Sequence, residues 1–369
     1  MKVLFQSRST LFSGPGGDTV QILKTKKYLE RMGVSVDIST EMDPDLSHYD
    51  LVHLFNLMRP QDLLCQARNA KRQGKKIALS TIYGVYTEYD HNARNGFAKT
   101  MCRLFSTPTL EYMKTVARAI KNREMHKGIS QYLLCGHTRS QIELLSYVDV
   151  FLPNSAEEMG RVTDDFEIAR GKPFVVVPNA IDAELFNPDE VVASQETNKY
   201  EGCVLCAARF EGRKSQLNLV RAMNSLPWQL VLIGKPAPNH VGYFKQIKRE
   251  AGENVHILGH VEHDKLPEYY KAAKVHALIS WMETPGLASL EAGAMDCNLV
   301  ITEKGDTRSY FGDYAFYCEP DSVETIRNAI IEAYEAPVNP ALRKHILSNF
   351  TWDKTAKRTL GGYRNAFTV

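Results

Sequence analysis

Glu283 and Glu291 flank a stretch that reads as the end of an apolar strand running into a helix. Val275, Ala277, Leu278 and Ile279 carry the strand pattern. Thr284 is a good N-cap residue, Pro285 suits the first helical position and Gly286 follows at the second. The first N–H groups of a helix have no internal partner, and the dipole adds about half a positive charge at that end. Gly286 brings no side chain to keep an anion away. A phosphate held there would lie between two acids that accept hydrogen bonds from hydroxyls. A nucleotide sugar has that composition, with phosphates in the middle and hydroxyl-bearing ends.

Two other loops could serve the same anion. Ala208-Arg209-Phe210-Glu211-Gly212-Arg213-Lys214 follows an expected strand, Cys203–Ala207. Arg209 and Lys214 together would neutralise a diphosphate and stabilise it as a leaving group. Ser13-Gly14-Pro15-Gly16-Gly17-Asp18 follows the first expected strand, Lys2–Gln6, and precedes a helical run from Thr19 to Met32. A glycine turn there lets backbone N–H groups approach a phosphate. It is not the dinucleotide fingerprint, because Pro15 interrupts it and no third glycine is spaced correctly.

The elements that must position these loops alternate between short β-rich runs and helical stretches, which implies parallel sheets covered on both faces. The first half is expected to hold strands at Lys2–Gln6, Val34–Ile38, Asp50–Phe55, Lys76–Ile82, Val148–Leu152 and Phe174–Val177. The second is expected to hold them at Cys203–Ala207, Gln229–Ile233, Val255–Leu258, Val275–Ser280 and Leu299–Thr302. Pro178 to Gly202, rich in turn formers and acids, reads as a linker. The expected domains are therefore 1–180 and 181–350, with 351–369 as a final helix. Open α/β sheets bind ligands outside the carboxyl ends of their strands, where all three loops fall.

Bulk properties narrow the class. A chain of 369 residues with 44% hydrophobic and 24% charged residues is long enough for two globular domains. Its 45 basic residues nearly balance 43 acidic ones, so no global field favours nucleic acid. No apolar run reaches the roughly 20 residues that span a bilayer, and a cytoplasmic protein is expected. The seven cysteines form no disulfide framework. Cys203 and Cys206 make a CxxC, but on a strand they point to opposite faces.

Taken in order, these landmarks resemble the GT-B fold glycosyltransferases of the retaining family 4 type (glycosyl transferases group 1). The resemblance runs through the Gly16-Gly17 turn, Val177-Pro178-Asn179-Ala180-Ile181-Asp182 with Phe186, and the Arg209…Lys214 loop. It continues through Ile257-Leu258-Gly259-His260-Val261, the Glu283…Glu291 pair and a final helix from Phe350-Thr351-Trp352. It implies two Rossmann-like domains facing each other across a cleft, with the last helix returning to the N-terminal domain. It also implies transfer of a sugar from a nucleotide-diphosphate sugar, with no metal and no cofactor, to a glycan or lipid-linked acceptor in polysaccharide or glycolipid assembly. Carried over residue by residue, Arg209 and Lys214 hold the diphosphate, with N–H groups near Gly286 and Leu287 and the Gly16-Gly17 turn. Glu283 takes hydroxyls of the transferred sugar, Glu291 takes the ribose, and backbone at Gly259–Val261 faces the base. A nucleotide-sugar epimerase of the same fold and a non-catalytic nucleotide-sugar-binding subunit are the competing readings.

The chain departs from the family pattern in places. It reads Glu283-Thr284-Pro285-Gly286-Leu287 where relatives often place an aromatic residue after proline. Tyr83 stands where many relatives carry a histidine facing the sugar, with His91, Glu88 and Asp90 as nearby alternatives on the acceptor side. An insertion at about 91–130 is basic: residues 94–127 hold eight Lys/Arg against two Glu. Leu110, Met113, Ala117 and Ile120 share a helical face flanked by Lys114, Arg118 and Lys121, a pattern suited to an anionic membrane surface or an acidic ligand. Asp43-Pro44-Asp45 is formally a DxD motif but sits in a turn-rich stretch, and is read as a turn rather than a metal site.

Overall fold

The computed structural model describes residues 1–84, 88–89, 105–122 and 126–368. The chain divides into two compact units: Met1–Thr87 with Asn95–Asn179 and Trp352–Val369, and Glu88–Arg94 with Ala180–Thr351. Each is a Rossmann-like α/β unit built on a wholly parallel sheet.

The first unit's strands are β1 (Lys2–Gln6), β2 (Ser35–Ser39), β3 (Leu51–Phe55), β4 (Lys76–Ser80) and β5 (Val150–Phe151), in the order β2-β1-β3-β4-β5. All five residues of β3 are buried, as expected of a strand covered on both faces. Val52 and Leu54 face one layer with Leu63, Leu64 and Leu144. His53 points the other way and meets the Tyr363 hydroxyl at 2.7 Å. Tyr363 belongs to the Trp352–Thr368 helix, whose buried residues Trp352, Thr355, Ala356, Thr359, Gly362, Tyr363 and Ala366 recur at helical spacing. The helix packs so closely at Gly362 that a Cβ there would fall 2.4 Å from the Leu152 side chain.

The expected strand at Phe174–Val177 reduces to one bridge, Phe174 to Phe151, because β5 offers it only two residues. In the basic insertion, Thr107–Asn122 is a helix. Leu110 and Ala119 are buried, whereas Met113, Ala117 and Ile120 are exposed. Arg94, Lys99, Arg103, Arg123 and Glu124 of that insertion lie outside the described residues.

The second unit's strands are β6 (Cys203–Ala207), β7 (Leu230–Ile233), β8 (Val255–Gly259), β9 (Ala273–Leu278), β10 (Asn298–Ile301) and β11 (Phe316–Tyr317). Their order is β11-β10-β9-β6-β7-β8. The first strand of the unit, β6, thus lies between β7 and β9, and the connections leave it in opposite directions. That is the topological switch point of a doubly wound sheet, where the loops at the carboxyl ends part and leave a crevice. Alternation places Leu205, Leu278 and Leu299 in one core layer and Val204, Ala277 and Val300 in the other. Cys203 and Cys206 fall in opposite layers, and burial pushes both thiols up to about 12. β11 is missing from the sequence reading because two residues carry no periodicity.

Candidate functional site

Beyond β6 the chain turns through a short 3-10 segment, Gly212–Lys214. Beyond β9 it runs through Ser280 to Gly286 into the Leu287–Ala294 helix. Because β6 and β9 are parallel neighbours, both loops emerge on the same edge, and Trp281 N–H donates to the Arg213 carbonyl at 2.9 Å. Lys214 and Glu283, 69 positions apart, form an ion pair there with each side chain only 10% exposed. Ser280 donates its hydroxyl to Glu283 Oε1 at 2.5 Å, and Arg213 Nη1 stands 3.9 Å from the same oxygen. Arg213 also pairs with Glu211 at 2.7 Å. Burial pushes the Glu283 carboxyl up, but Lys214 and Arg213 outweigh it and hold the group below its ordinary value. Burial pulls the Lys214 ammonium down, against the opposing pull of Glu283.

A third loop fixes the backbone of Glu283. After β10, Asp306 N–H donates to the Glu283 carbonyl at 2.9 Å, and Gly305 bridges to Glu283. Gly305 has φ +84, and a Cβ on it would fall 2.2 Å from the Glu283 carbonyl oxygen, so only glycine fits. Gly305 and Asp306 are therefore site residues missing from the sequence reading. Arg213 and Ser280 are others: Arg213 lies one position before Lys214, but nothing local shows that it turns to Glu283.

The helix start differs from expectation. The N-cap is Gly286 at φ 88, so the helix begins at Leu287, and Thr284 and Pro285 precede it with a cis peptide bond between them. A left-handed residue at 286 interrupts the helical dihedrals, which excludes Thr284 as the cap and Pro285 as its first residue. The anion-ready end survives two residues later: Ser289 and Leu290 N–H donate to the Gly286 carbonyl, leaving the N–H groups before them outside the helix ladder. A Cβ on Gly286 would stand 3.1 Å from Leu278 Cδ2, closer than an ordinary contact, and the φ of +88 itself favours glycine.

Glu291 lies on the same helix and is buried. Its Oε1 is 2.8 Å from His263 Nε2, and its Oε2 accepts from the Tyr270 hydroxyl at 3.3 Å. Gly259 ends β8 and Val261 follows, half-buried against the same core layer. Arg209 is exposed at the end of β6, and its carbonyl accepts from Gln216 at 2.8 Å. The second unit thus brings Lys214, Glu283, Gly286, Leu287 and Glu291 onto one loop-and-helix segment and its neighbour.

Gly16, Gly17 and Tyr83 belong to the first unit. Gly16 caps the Gly17–Arg31 helix in extended conformation, and its N–H donates to Thr19 Oγ1 at 3.1 Å. Arg8, unremarked in the sequence, holds this turn by donating to Asp18 at 2.7 and 3.0 Å and to the Gly14 carbonyl at 3.0 Å. Tyr83 is 7% exposed, its ring packs edge-on against Phe166 and its hydroxyl donates to Asp165 at 2.6 Å. Burial and Asp165 push the phenol above its ordinary value, and its donor is already engaged inside the unit. His91 and Asp90 lie outside the described residues; Glu88 pairs with Lys304 at 2.6 Å. In the DxD, Asp45 accepts from Ser47 N–H and hydroxyl at 3.0 and 2.9 Å, the contacts of a turn, and Asp43 pairs with Lys127 at 3.2 Å.

Residues 188–349 match the model of the glycosyl transferases group 1 family. Over 398 aligned residues the chain is 25% identical to a D-inositol 3-phosphate glycosyltransferase of Corynebacterium urealyticum, covering 96% of this chain and 92% of the relative. Among solved structures, sucrose-phosphate synthase from Thermosynechococcus elongatus superposes with a TM-score of 0.73 at 15% identity, over 100% of this chain and 99% of the other. Anabaena HepE in complex with UDP and glucose superposes with a TM-score of 0.68 at 15% identity, over 99% of each chain. At such identities these structures speak to the fold, which is GT-B.

Proposed function

Starting from a chain that is a nucleotide-sugar-dependent glycosyltransferase, we propose that it transfers its sugar with retained configuration and without a metal, as a family 4 type enzyme. The observation that carries the site assignment is the Lys214–Glu283 pair at the β6–β9 switch point, followed at once by the Gly286 helix start. In this reading Lys214 and Arg209 bind the donor diphosphate, with Arg213 beside them and the N–H groups near Gly286 and Leu287 completing the cradle. Glu283, freed from Lys214 when phosphate takes the ammonium, accepts hydrogen bonds from hydroxyls of the transferred sugar. Glu291 accepts the ribose hydroxyls, and backbone at Gly259–Val261 faces the base. Charge grows on the diphosphate as the glycosidic bond breaks, and cations fixed in a water-poor site stabilise it without reorganisation. A leaving-phosphate oxygen then takes the acceptor proton, so no protein nucleophile is required.

The UDP in the HepE structures and the phosphorylated inositol acceptor named for the Corynebacterium relative support a UDP-sugar donor and a polyol or glycan acceptor. The decisive experiment supplies UDP-, GDP- and ADP-sugars with candidate acceptors in EDTA and reads the anomeric configuration of the product. Retained configuration at undiminished rate supports the reading. Inversion, or activity only on adding Mg²⁺ or Mn²⁺, overturns it.

The setting proposed is polysaccharide or glycolipid assembly at the cytoplasmic face of a membrane. Among the described residues no helix is long and apolar enough to cross a membrane. Met113 and Ile120, 41 and 75% exposed, share the Thr107–Asn122 helix with Lys114 and Arg118, and Leu134, 88% exposed, lies on the Lys127–Cys135 helix, a composition suited to an anionic interface. Flotation with phosphatidylglycerol vesicles is expected to carry the wild type and to lose an Ile120→Ser/Leu134→Ser variant. Equal flotation of both would refute this surface.

A further inference from the structure

The Glu291 carboxylate is held from two sides by side chains to which the reading above gives no part. His263 begins the short turn His263–Lys265 after β8, with its side chain 50% exposed. Its Nε2 lies 2.8 Å from Glu291 Oε1. Fully buried Tyr270 donates to the other oxygen, Oε2, at 3.3 Å. Phe186, 1% exposed, backs both: its ring meets the His263 ring edge-on at 5.3 Å and the Tyr270 ring at 6.0 Å. The imidazole is therefore fixed by an aromatic wall although half of it faces solvent.

A carboxylate has about four lone-pair positions, two on each oxygen. His263 and Tyr270 occupy one on each, which stops rotation of the carboxylate plane and leaves one acceptor position on each oxygen. Two parallel acceptor positions match a vicinal diol. We propose that His263 is a positioning residue for ribose recognition: with Tyr270 it orients Glu291 so that the carboxylate accepts both the 2′- and the 3′-hydroxyl of the donor nucleotide. The proposal rests on the reading of Glu291 as the ribose acceptor. In this role His263 acts through Glu291 alone, so its effect is confined to discrimination between a ribose and a deoxyribose.

Calorimetric titration with three pairs, UDP and 2′-deoxy-UDP, GDP and 2′-deoxy-GDP, ADP and 2′-deoxy-ADP, tests this on the full chain. The wild type is expected to prefer the ribonucleotide of the pair it binds. In His263→Ala that preference shrinks by about five- to tenfold while affinity for the deoxynucleotide is unchanged. His263→Gln, which retains an N–H donor, restores most of it. A merely structural role would weaken both members of the pair alike. Preference unchanged in His263→Ala, with preference lost in Glu291→Ala, overturns the positioning role and leaves the ribose reading standing. Preference unchanged in Glu291→Ala overturns the ribose reading itself. Binding of none of the three ribonucleotides overturns the whole donor site and this proposal with it.

Discussion

Replacing Lys214 by methionine keeps most of the side-chain volume and removes only the ammonium. The carboxylate of Glu283, 10% exposed, then keeps the Ser280 hydroxyl at 2.5 Å and the Arg213 guanidinium at 3.9 Å, but loses its close counter-ion. Breaking a buried pair from one side costs about 3–5 kcal/mol, and the two surviving contacts put this case at the low end, about 3 kcal/mol. In a unit of some 150–250 residues, 1 kcal/mol shifts Tm by about 2–4 °C, so the transition of the second unit should fall by about 6–12 °C. Scanning calorimetry reads that shift, with the two units followed as separate transitions because a two-unit chain does not unfold in one step. The double variant Lys214→Met/Glu283→Gln strands no charge and should regain most of the lost stability, a coupling of about 2 kcal/mol. Transfer should not return with it, because the cation aimed at the leaving diphosphate is still missing, and losing such a group costs about 10²–10³ in rate. A single variant that melts within about 2 °C of the wild type, a loss of no more than about 1 kcal/mol, would refute the energetic argument. A double variant that transfers sugar at the wild-type rate would refute the assignment of Lys214.

Gly305→Ala is expected to cost about 2–4 kcal/mol, from a left-handed φ of +84 and a clash 2.2 Å from the Glu283 carbonyl, and to depress transfer with it. Urea unfolding and turnover measured together check this, and a neutral substitution would mean that the loop after β10 does not fix Glu283. Burial pulls His53 and His276 from the ordinary 6.5 to about 3, so each is neutral in the folded protein. The unfolded chain binds their protons first, so stability is full above pH 6.5 and falls as pH drops from 6.5 toward 3, by about 1.4 kcal/mol per unit for each histidine. His53→Gln should flatten that limb by one proton's worth in urea melts between pH 6.5 and 4.5, and an unchanged slope would contradict the buried neutral state.

Much of the fold was legible because parallel strands buried on both faces leave near-continuous apolar runs. β1, β3 and β6 emerge close to their expected limits. β11 and the bridge at Phe174 were not, since two-residue pairings leave no period to read. Glu283, Glu291, Lys214 and Gly286 stood out by residue type beside strand ends. Arg213, Ser280, Gly305, Asp306, His263 and Tyr270 did not, because their contacts cross from one loop to another. Thr284 was misjudged as a cap for a related reason: the left-handed turn at Gly286 is set by its fit against Leu278 and Glu283, and composition leaves that open.

Local pattern was enough to establish two α/β halves, an apolar strand feeding a helix after Glu283, and acids and bases placed at strand ends. It could not say that Lys214 and Glu283 meet. That contact exists because β9 hydrogen-bonds beside β6 instead of following β8, and the order of strands in a sheet depends on how helices fill both faces of the whole unit. Nor could it turn Tyr83 inward, where Asp165 and Phe166 take its hydroxyl and its ring. Residue spacing carries short-range periodicity, whereas a pair 69 positions apart is made only when the core on either side of the sheet closes.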